Sequence, residues 1–328
     1  MQILVTGGAG YIGSHMVKLL NLAGYEVIVL DDLSSGSRKA LIYANKFING
    51  SIADKDLLTT LFSIYDFAAV FHFASHIQVA ESVKDPAKYY FNNVSATLNL
   101  LEAMRCARVT NFIFSSTAAI YGSPLYTPID ENHPKAPINP YGYTKLVIEQ
   151  VLKDFHYAYG FNSVCLRYFN AAGADPDGQL GERHDPETHL IPLVLQAAAG
   201  RIKSISIFGT DYDTTDGTCI RDYIHVSDLC DAHLLGLEYL LSGGKSINLN
   251  LGNGNGFSVK EVIDTARKVT GHDIAVLLQS RRPGDPSKLV ANSIQAKNIL
   301  GWQPRRSNLE TIIQDAWAWE LNNSWKSL

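Results

Sequence analysis

The sequence predicts an α/β fold, a doubly wound parallel sheet followed by a smaller C-terminal α/β region, and three observations lead there. Short apolar runs rich in Val, Ile and Phe recur at residues 2–6, 26–30, 69–73, 112–115 and 163–168. Helix-length amphipathic stretches separate them, the rhythm of repeated βαβ units. The runs also lack polar alternation, so each expected strand is buried on both faces beneath helices. After Asn170 the texture turns to irregular, glycine-containing polar stretches at 173–189 and 209–217, broken by helical patterns at 190–199 and 226–241. The chain is therefore expected to divide softly near residue 170. Residues 1–170 would form the sheet domain and 171–328 a ligand-covering one, with room for later segments to pack back on the first.

Individual elements carry their own signals. Ser258 ahead of Val259, with Glu261 three residues on, is a capping box that opens a helix running to Thr270 and closed by Gly271. Another helix is expected from Asn308 to the region of Trp317. Trp302, Trp317, Trp319 and Trp325 are expected to pack the second region. His72, His225 and His233 read as structural histidines, because no metal-ligand spacing joins them.

Bulk composition sets limits. Hydrophobic residues make up 46% of the 328 residues and charged residues 18%, without like-charge runs, which excludes a disordered chain. The 28 basic and 32 acidic residues leave a net charge of -4, so nucleic acid and anionic membranes are not expected partners. The apolar runs at 70–75 and 194–199 fall far short of the roughly 20 residues that span a bilayer. The first residues run straight into a strand with no basic leader, and Cys106, Cys165, Cys219 and Cys230 are scattered without a Cys-x-x-Cys pair. A cytoplasmic protein with reduced thiols and no metal is the expectation.

The first strand ends in Thr6-Gly7-Gly8-Ala9-Gly10-Tyr11-Ile12-Gly13, and residues 14–22 then read as a helix. Glycines in this order allow a tight turn, close approach of a pyrophosphate and tight packing of helix against strand. The helix N-terminus adds unpaired N–H groups and partial positive charge. Asp31, at the end of the second strand, stands where a carboxylate accepts hydrogen bonds from both ribose hydroxyls and repels the extra phosphate of NADP. A Rossmann domain binding NAD follows, with Arg38 leaving a smaller opening for NADP.

Downstream, Asn139-Pro140-Tyr141-Gly142-Tyr143-Thr144-Lys145 opens an amphipathic helix, with Pro140 in its first turn. Tyr141 and Lys145, four apart, share one helix face. A phenol near pKa 10 is a poor base at neutral pH, and a neighbouring ammonium favours its ionised form. A hydroxyl losing hydride must also lose its proton, so such a base is what oxidation of an alcohol requires. Ser115-Ser116-Thr117 closes an expected strand upstream and sets hydroxyls at the carboxyl end of the sheet, where open α/β sheets bind ligands.

With these motifs stand His72-Phe73-Ala74-Ser75, Tyr89-Tyr90-Phe91-Asn92-Asn93-Val94, Leu166-Arg167-Tyr168-Phe169-Asn170, Arg221-Asp222-Tyr223-Ile224-His225-Val226 and Arg282-Pro283-Gly284-Asp285. Together they resemble, almost end to end, the extended short-chain dehydrogenase/reductase superfamily and, within it, the UDP-sugar 4-epimerases. The resemblance implies a galactose-pathway enzyme, a homodimer pairing helices near 94–105 and 143–155, that interconverts UDP-glucose and UDP-galactose through a 4-keto intermediate. It gives Tyr141 the role of base, Lys145 that of its partner and holder of the nicotinamide ribose, and Thr117 the hydrogen bond to the sugar oxygen. Around NAD it places Gly7, Gly10, Tyr11, Ile12, Gly13, Asp31, Asp32 and Ser35 at the turn. Ser51, Ile52, Phe73, Ala74, Ser75, Asn92, Ser115, Tyr168 and Phe169 follow along the cofactor. On the UDP-sugar it places Asn170, His189, Leu190, Ser206 and Phe208, then Arg221, Tyr223, Arg282 and Asp285. Guanidinium forks suit a diphosphate, and an aromatic suits a flat base; Arg221 and Arg282 also read as partners of Asp222 and Asp285.

Related dehydratases set Asp-Glu directly after the threonine to move protons, whereas this chain has Ala118-Ala119, which disfavours dehydration. A dehydrogenase that exchanges its cofactor freely is the broader alternative. A non-catalytic NAD sensor has no need of Tyr141 and Lys145. The chain departs from the pattern at Ser51, where relatives often have Asp, and at Ile77, near a common lysine. Leu289 stands at a position whose size gates N-acetylated sugars, so UDP-N-acetylglucosamine and UDP-pentoses remain alternative substrates.

Overall fold

A computed structural model of the chain describes residues 1–282 and 284–322. Strands β1 (Gln2–Thr6), β2 (Glu26–Asp31), β3 (Lys46–Asn49), β4 (Phe67–His72), β5 (Asn111–Thr117), β6 (Asn162–Tyr168) and β7 (Ile247–Leu251) form a seven-stranded parallel sheet in the order β7-β6-β5-β4-β1-β2-β3. Alternate residues of each strand serve opposite faces. Ile3, Val5, Val27, Val29 and Phe71 meet α1 (Tyr11–Leu22) and the later helix Val226–Leu241. Leu4, Ile28, Leu30, Val70 and Phe112 meet α2 (Lys55–Ile64), α3 (Thr97–Cys106) and α4 (Pro140–Tyr159). Both faces are apolar because both are covered.

The helices Leu190–Ala198 (α5), Val226–Leu241 (α6), Val259–Thr270 (α7) and Leu309–Leu321 (α8) complete the fold. Three of them, α5, α7 and α8, enclose a separate apolar cluster beside the parallel pair Ile205–Phe208 and Val276–Gln279. The capping box is formed: Ser258 Oγ accepts from Glu261 N at 3.0 Å, Glu261 Oε2 accepts from Ser258 N at 2.7 Å, and Gly271 turns the chain with φ of +71°.

Chain order and spatial layer part company after residue 170. Helix α6 and strand β7, read from texture as part of the second region, lie on the first sheet, and Trp302 is buried in that same core with its Nε1 donating to Asp228 O at 2.8 Å. Trp317 packs the second cluster, Trp319 faces a cleft described below, and Trp325 lies outside the described residues. Strand β3 escapes the hydrophobic pattern as a four-residue edge strand with polar ends. In β7 the signal is broken by Asn250, whose buried amide donates to Ile129 O at 2.9 Å and accepts from Tyr121 Oη at 2.7 Å. Helix α1 begins at Tyr11, three residues earlier than the pattern suggests.

His72 bridges Thr6 Oγ1 (2.7 Å) and Thr97 Oγ1 (3.0 Å), and His225 caps α6 while touching Asp315 Oδ2 at 3.1 Å. His233 Nδ1 lies 2.8 Å from Leu229 O. Burial lowers His72 to about 3 and His15 and His233 to about 4, from an ordinary 6.5. Below 6.5 the unfolded chain therefore binds more protons at these sites than the folded one. Stability therefore falls as pH drops from 6.5 toward 4, as unfolding releases these imidazoles to take up protons. His233→Phe should flatten that slope in denaturant melts at pH 4.5 to 6.5; an unchanged slope would show that this histidine titrates alike in both states.

Candidate active site

The strand order reverses direction between β1 and β4, which opens a crevice above their carboxyl ends. Its floor is the glycine turn. Gly7 has φ of +75° and a Cβ there would meet Ala74 N at 2.5 Å; a Cβ on Gly13 would overlap Gly7 O and lie 2.9 Å from Gly8 Cα. The turn is thus pressed against the loop after β4 and against α1, whose first N–H groups are left pointing out of the helix. Asp31 closes the far side, accepting from Ala9 N at 2.9 Å and Leu33 N at 2.8 Å. Burial raises its pKa while these two N–H groups lower it, with burial the larger influence. Asp32 accepts from Ser34 N at 2.9 Å, and Arg38 lies over the Phe47 ring.

A cleft at the turn is lined by Gly10, Tyr11, Ser35, Gly181 and Trp319. Tyr11 Oη donates to Gly173 O at 2.7 Å, tying the turn to the second half of the chain. Ser51 follows β3 and accepts from Ala53 N at 3.2 Å, whereas Ile52 is buried in the core beside Leu30 and Leu58. Asn92 lies in a π-helical turn, Phe91–Ala96, and donates to Asn93 Oδ1 at 3.0 Å.

Over the ends of β4, β5 and β6 lies the reactive group of side chains. Asn139 caps α4 by accepting from Gly142 N at 2.9 Å, which places Tyr141 in the first turn after Pro140. A Cβ on Gly142 would stand 2.6 Å from Ala119 O, so only glycine lets α4 come this close to the segment after Thr117. Tyr141 is buried, with Thr117 close enough to oppose the effect of burial on its phenol, and the Thr117 hydroxyl accepts from Ala119 N at 3.1 Å. Lys145, one turn on, donates to Ser75 Oγ at 2.9 Å and to Ser115 O at 2.8 Å, with its ammonium 4.9 Å from the centre of the Phe114 ring. Ser115 Oγ and Tyr168 Oη form a short hydrogen bond.

Burial raises the Tyr141 phenol, and Thr117 opposes it. Lys145 is itself pushed down to about 7 by burial and directs its protons to Ser75 and Ser115.

The second ligand face is assembled from the other half. The strand Ile220–Arg221 pairs with Phe257–Ser258 and with Lys288–Leu289, which brings Arg221 and Leu289 into register. Arg221 pairs with Asp285, and Arg282 lies 4.0 Å from the centre of the Phe208 ring. Asp222 does not pair with an arginine; its buried carboxylate accepts from Asn253, Gly254 and Ala291 N–H groups. Ser206 shares the strand of Phe208, Tyr223 is buried, and Leu289 packs, like Phe169, against the small apolar cluster after Thr117. Asn170 N donates to Asp222 O at 3.1 Å and Leu190 begins α5. His189 Nδ1 is bonded to Glu182.

A glycine turn, an acidic strand end and a Thr-Tyr-Lys group around one crevice agree with a family model described as the NAD dependent epimerase/dehydratase family, which matches residues 3–252. The chain belongs to this family. Within it, the chain is 54% identical over 319 residues to a UDP-glucose 4-epimerase of Halalkalibacterium halodurans, covering 97% of this chain and 95% of the relative. Among solved members, the UDP-glucose 4-epimerase of Brucella ovis in complex with NAD superposes with a TM-score of 0.94 at 49% identity, over 96% of this chain and 97% of the other. That of Bifidobacterium longum in complex with NAD+ and UDP gives 0.93 at 38% identity, over 98% and 99%.

In this member of the epimerase/dehydratase family two buried polar devices support the reactive group without having been read from sequence. Asn93 accepts from His76 N at 2.9 Å and donates to His76 O (3.0 Å) and Thr144 Oγ1 (3.2 Å), joining the loop after β4 to α4. Arg167 of β6 and Glu149 of α4 form a buried bidentate pair at 2.8 and 2.6 Å, and Ser116 Oγ donates to the same carboxylate at 2.6 Å. Their signal was present as charged residues inside an apolar strand and on the inner face of a helix.

Proposed function

We propose that this protein interconverts UDP-glucose and UDP-galactose by reversible oxidation at C4 of the sugar, with NAD held in the crevice above β1 and β4. The observation that carries the reading is Tyr141, buried beside Thr117 and one helical turn from Lys145, over the carboxyl end of the same sheet that bears the glycine turn. NAD, when bound, accepts the hydride from C4 and gives it back. Gly7, Gly10, Gly13 and Asp31 fit its pyrophosphate and ribose, since the glycines leave room for close approach, the first turn of α1 presents its N–H groups, and Asp31 keeps unused lone pairs. Tyr141 takes the proton of the 4-hydroxyl and later returns one, Thr117 holds the same oxygen, and Lys145 fixes the loop and strand beside them. Arg221, Arg282 and Phe208 grip the uridine diphosphate. A firm hold on the nucleotide with a loose one on the sugar lets the 4-keto sugar present either face.

Purified protein given UDP-galactose and no added NAD should form UDP-glucose; a strict need for added, exchanging cofactor would overturn the proposal in favour of a dehydrogenase. Arg282→Ala should raise KM for UDP-galactose about 10- to 100-fold, the loss of a charge-assisted contact made equally in ground and transition states, with kcat little changed. A fall in kcat at constant KM would count against the assigned role.

Leu289, partly buried and packed, like Phe169, against the small apolar cluster after Thr117, faces the choice between hexoses and N-acetylated hexoses, and turnover of UDP-N-acetylglucosamine is the competing substrate test. We place the enzyme in galactose metabolism and in the cytoplasm; no helix among the described residues is long and apolar enough to cross a membrane. A homodimer through α3 and α4 is supported by Leu98, Tyr143 and Val147, exposed on those helices, and sedimentation would test it.

A further inference from the structure

The loop that leads into α5 carries Glu182, His184, Glu187 and His189, and one ligating atom from each lies within 4.8 Å of all the others. We propose that these four side chains form a closed binding site for a divalent transition-metal ion of the zinc class, a site separate from the hydride chemistry. The sequence expectation of no metal rested on His72, His225 and His233, which are spread through the fold; the spacing Glu-x-His-x-x-Glu-x-His within one loop is a different pattern.

Geometry is the first argument. A tetrahedral ion with ligands at about 2.1 Å sets neighbouring ligand atoms about 3.4 Å apart. His184 Nδ1 lies 3.1 Å from Glu182 Oε1 and 3.8 Å from Glu187 Oε1, on either side of that spacing, and His189 Nδ1 is in close contact with Glu182 Oε1. Small side-chain adjustments admit an ion at the centre. The second argument is an unused nitrogen. His184 Nδ1 is buried between two carboxylates yet makes no hydrogen bond, although both oxygens are near. An ion held among the four ligand atoms would give that nitrogen its partner.

The ligand set then selects the ion. Two imidazoles with two carboxylates suit zinc-class ions, whereas calcium and magnesium prefer oxygen alone. Charge agrees: the carboxylates are almost wholly buried, with side chains 5% and 7% exposed, and one divalent cation with neutral imidazoles brings the group to zero. Outer contacts hold the ligands in place. Glu187 Oε1 accepts from Thr188 N and His189 N at 2.7 and 2.9 Å, and Glu182 O accepts from Trp319 Nε1 at 3.1 Å. The ion would bind the start of α5 to α8 beside the glycine turn, where Arg183 already reaches Ser37 Oγ at 3.1 Å. His189 then serves the ion and not the sugar.

The test uses the tag-free holoenzyme, stripped with a chelator, dialysed against Zn2+ or Co2+ alone and assayed for bound metal by atomic emission. We expect one ion per chain and visible Co2+ bands of tetrahedral strength. His184→Gln and Glu187→Gln, checked for folding by near-UV circular dichroism, should bind Zn2+ at least about 10-fold more weakly. Three results overturn the proposal: no stoichiometric uptake by the wild type, unchanged uptake by both folded variants, or a thiolate-to-cobalt charge-transfer band, which would move the ion to exposed Cys106. Should either variant fail to fold, the wild-type Co2+ spectrum decides, weak octahedral bands counting against the site.

Discussion

Tyr141→Phe is expected to lower kcat for UDP-galactose conversion by about 10²- to 10⁴-fold, the range over which a positioned acid or base acts, while KM changes little. The change removes one oxygen from a buried ring and leaves the helix, its Asn139 cap and the Gly142 approach in place. The loss therefore belongs to the proton transfer and not to the fold. Thr117 Oγ1 goes on accepting from the Ala119 N–H, so the substitution leaves its place at the strand end unchanged. Steady-state turnover with bound NAD measured alongside checks the expectation. A variant retaining more than a tenth of the wild-type rate with full cofactor content would remove Tyr141 from the chemistry.

Lys145 bears on the same step in a way the four-residue spacing does not disclose. Spacing along a helix says which side chains share a face, and that much was legible. It does not say where a flexible four-carbon chain puts its ammonium. Ser75 and Ser115 take two of its protons, and those residues come from the ends of different strands, 70 and 30 positions away. The same limit explains the rest of what sequence missed. Apolar runs reveal β1, β2, β4, β5 and β6 because each reports its own burial, residue by residue. Asn250 in β7 is buried through partners at Tyr121 and Ile129, so its strand reads as polar until those partners are placed. The glycine turn was legible for the opposite reason: everything it needs is local, a backbone conformation, an approach and a carboxylate at the next strand end. The loop at 182–189 fell between these cases: its carboxylates and imidazoles are close in sequence, but only His189 was singled out there, and for the sugar.

Glu149→Gln should cost about 3–5 kcal/mol of stability, the expected penalty for leaving a buried guanidinium without its carboxylate. Arg167 and Glu149 have side chains only 1% and 4% exposed, so water cannot replace what the substitution removes. Arg167 keeps its bond to Tyr121 Oη at 2.9 Å, but that neutral oxygen does not balance the charge. Urea unfolding at neutral pH measures the loss, and a change below about 1 kcal/mol, the level of an exposed ion pair, would mean that the pair is solvated in solution. The double substitution Glu149→Leu with Arg167→Met is expected to recover most of the stability, because an apolar pair of similar volume requires no compensation. It should not recover the rate in full. Ser116, which donates to Glu149, is the direct neighbour of Thr117, and Glu149 lies one turn beyond Lys145 on α4. The pair thus fixes strand and helix at the two points that carry Thr117 and Tyr141, and a repacked core that folds equally well holds those points less tightly.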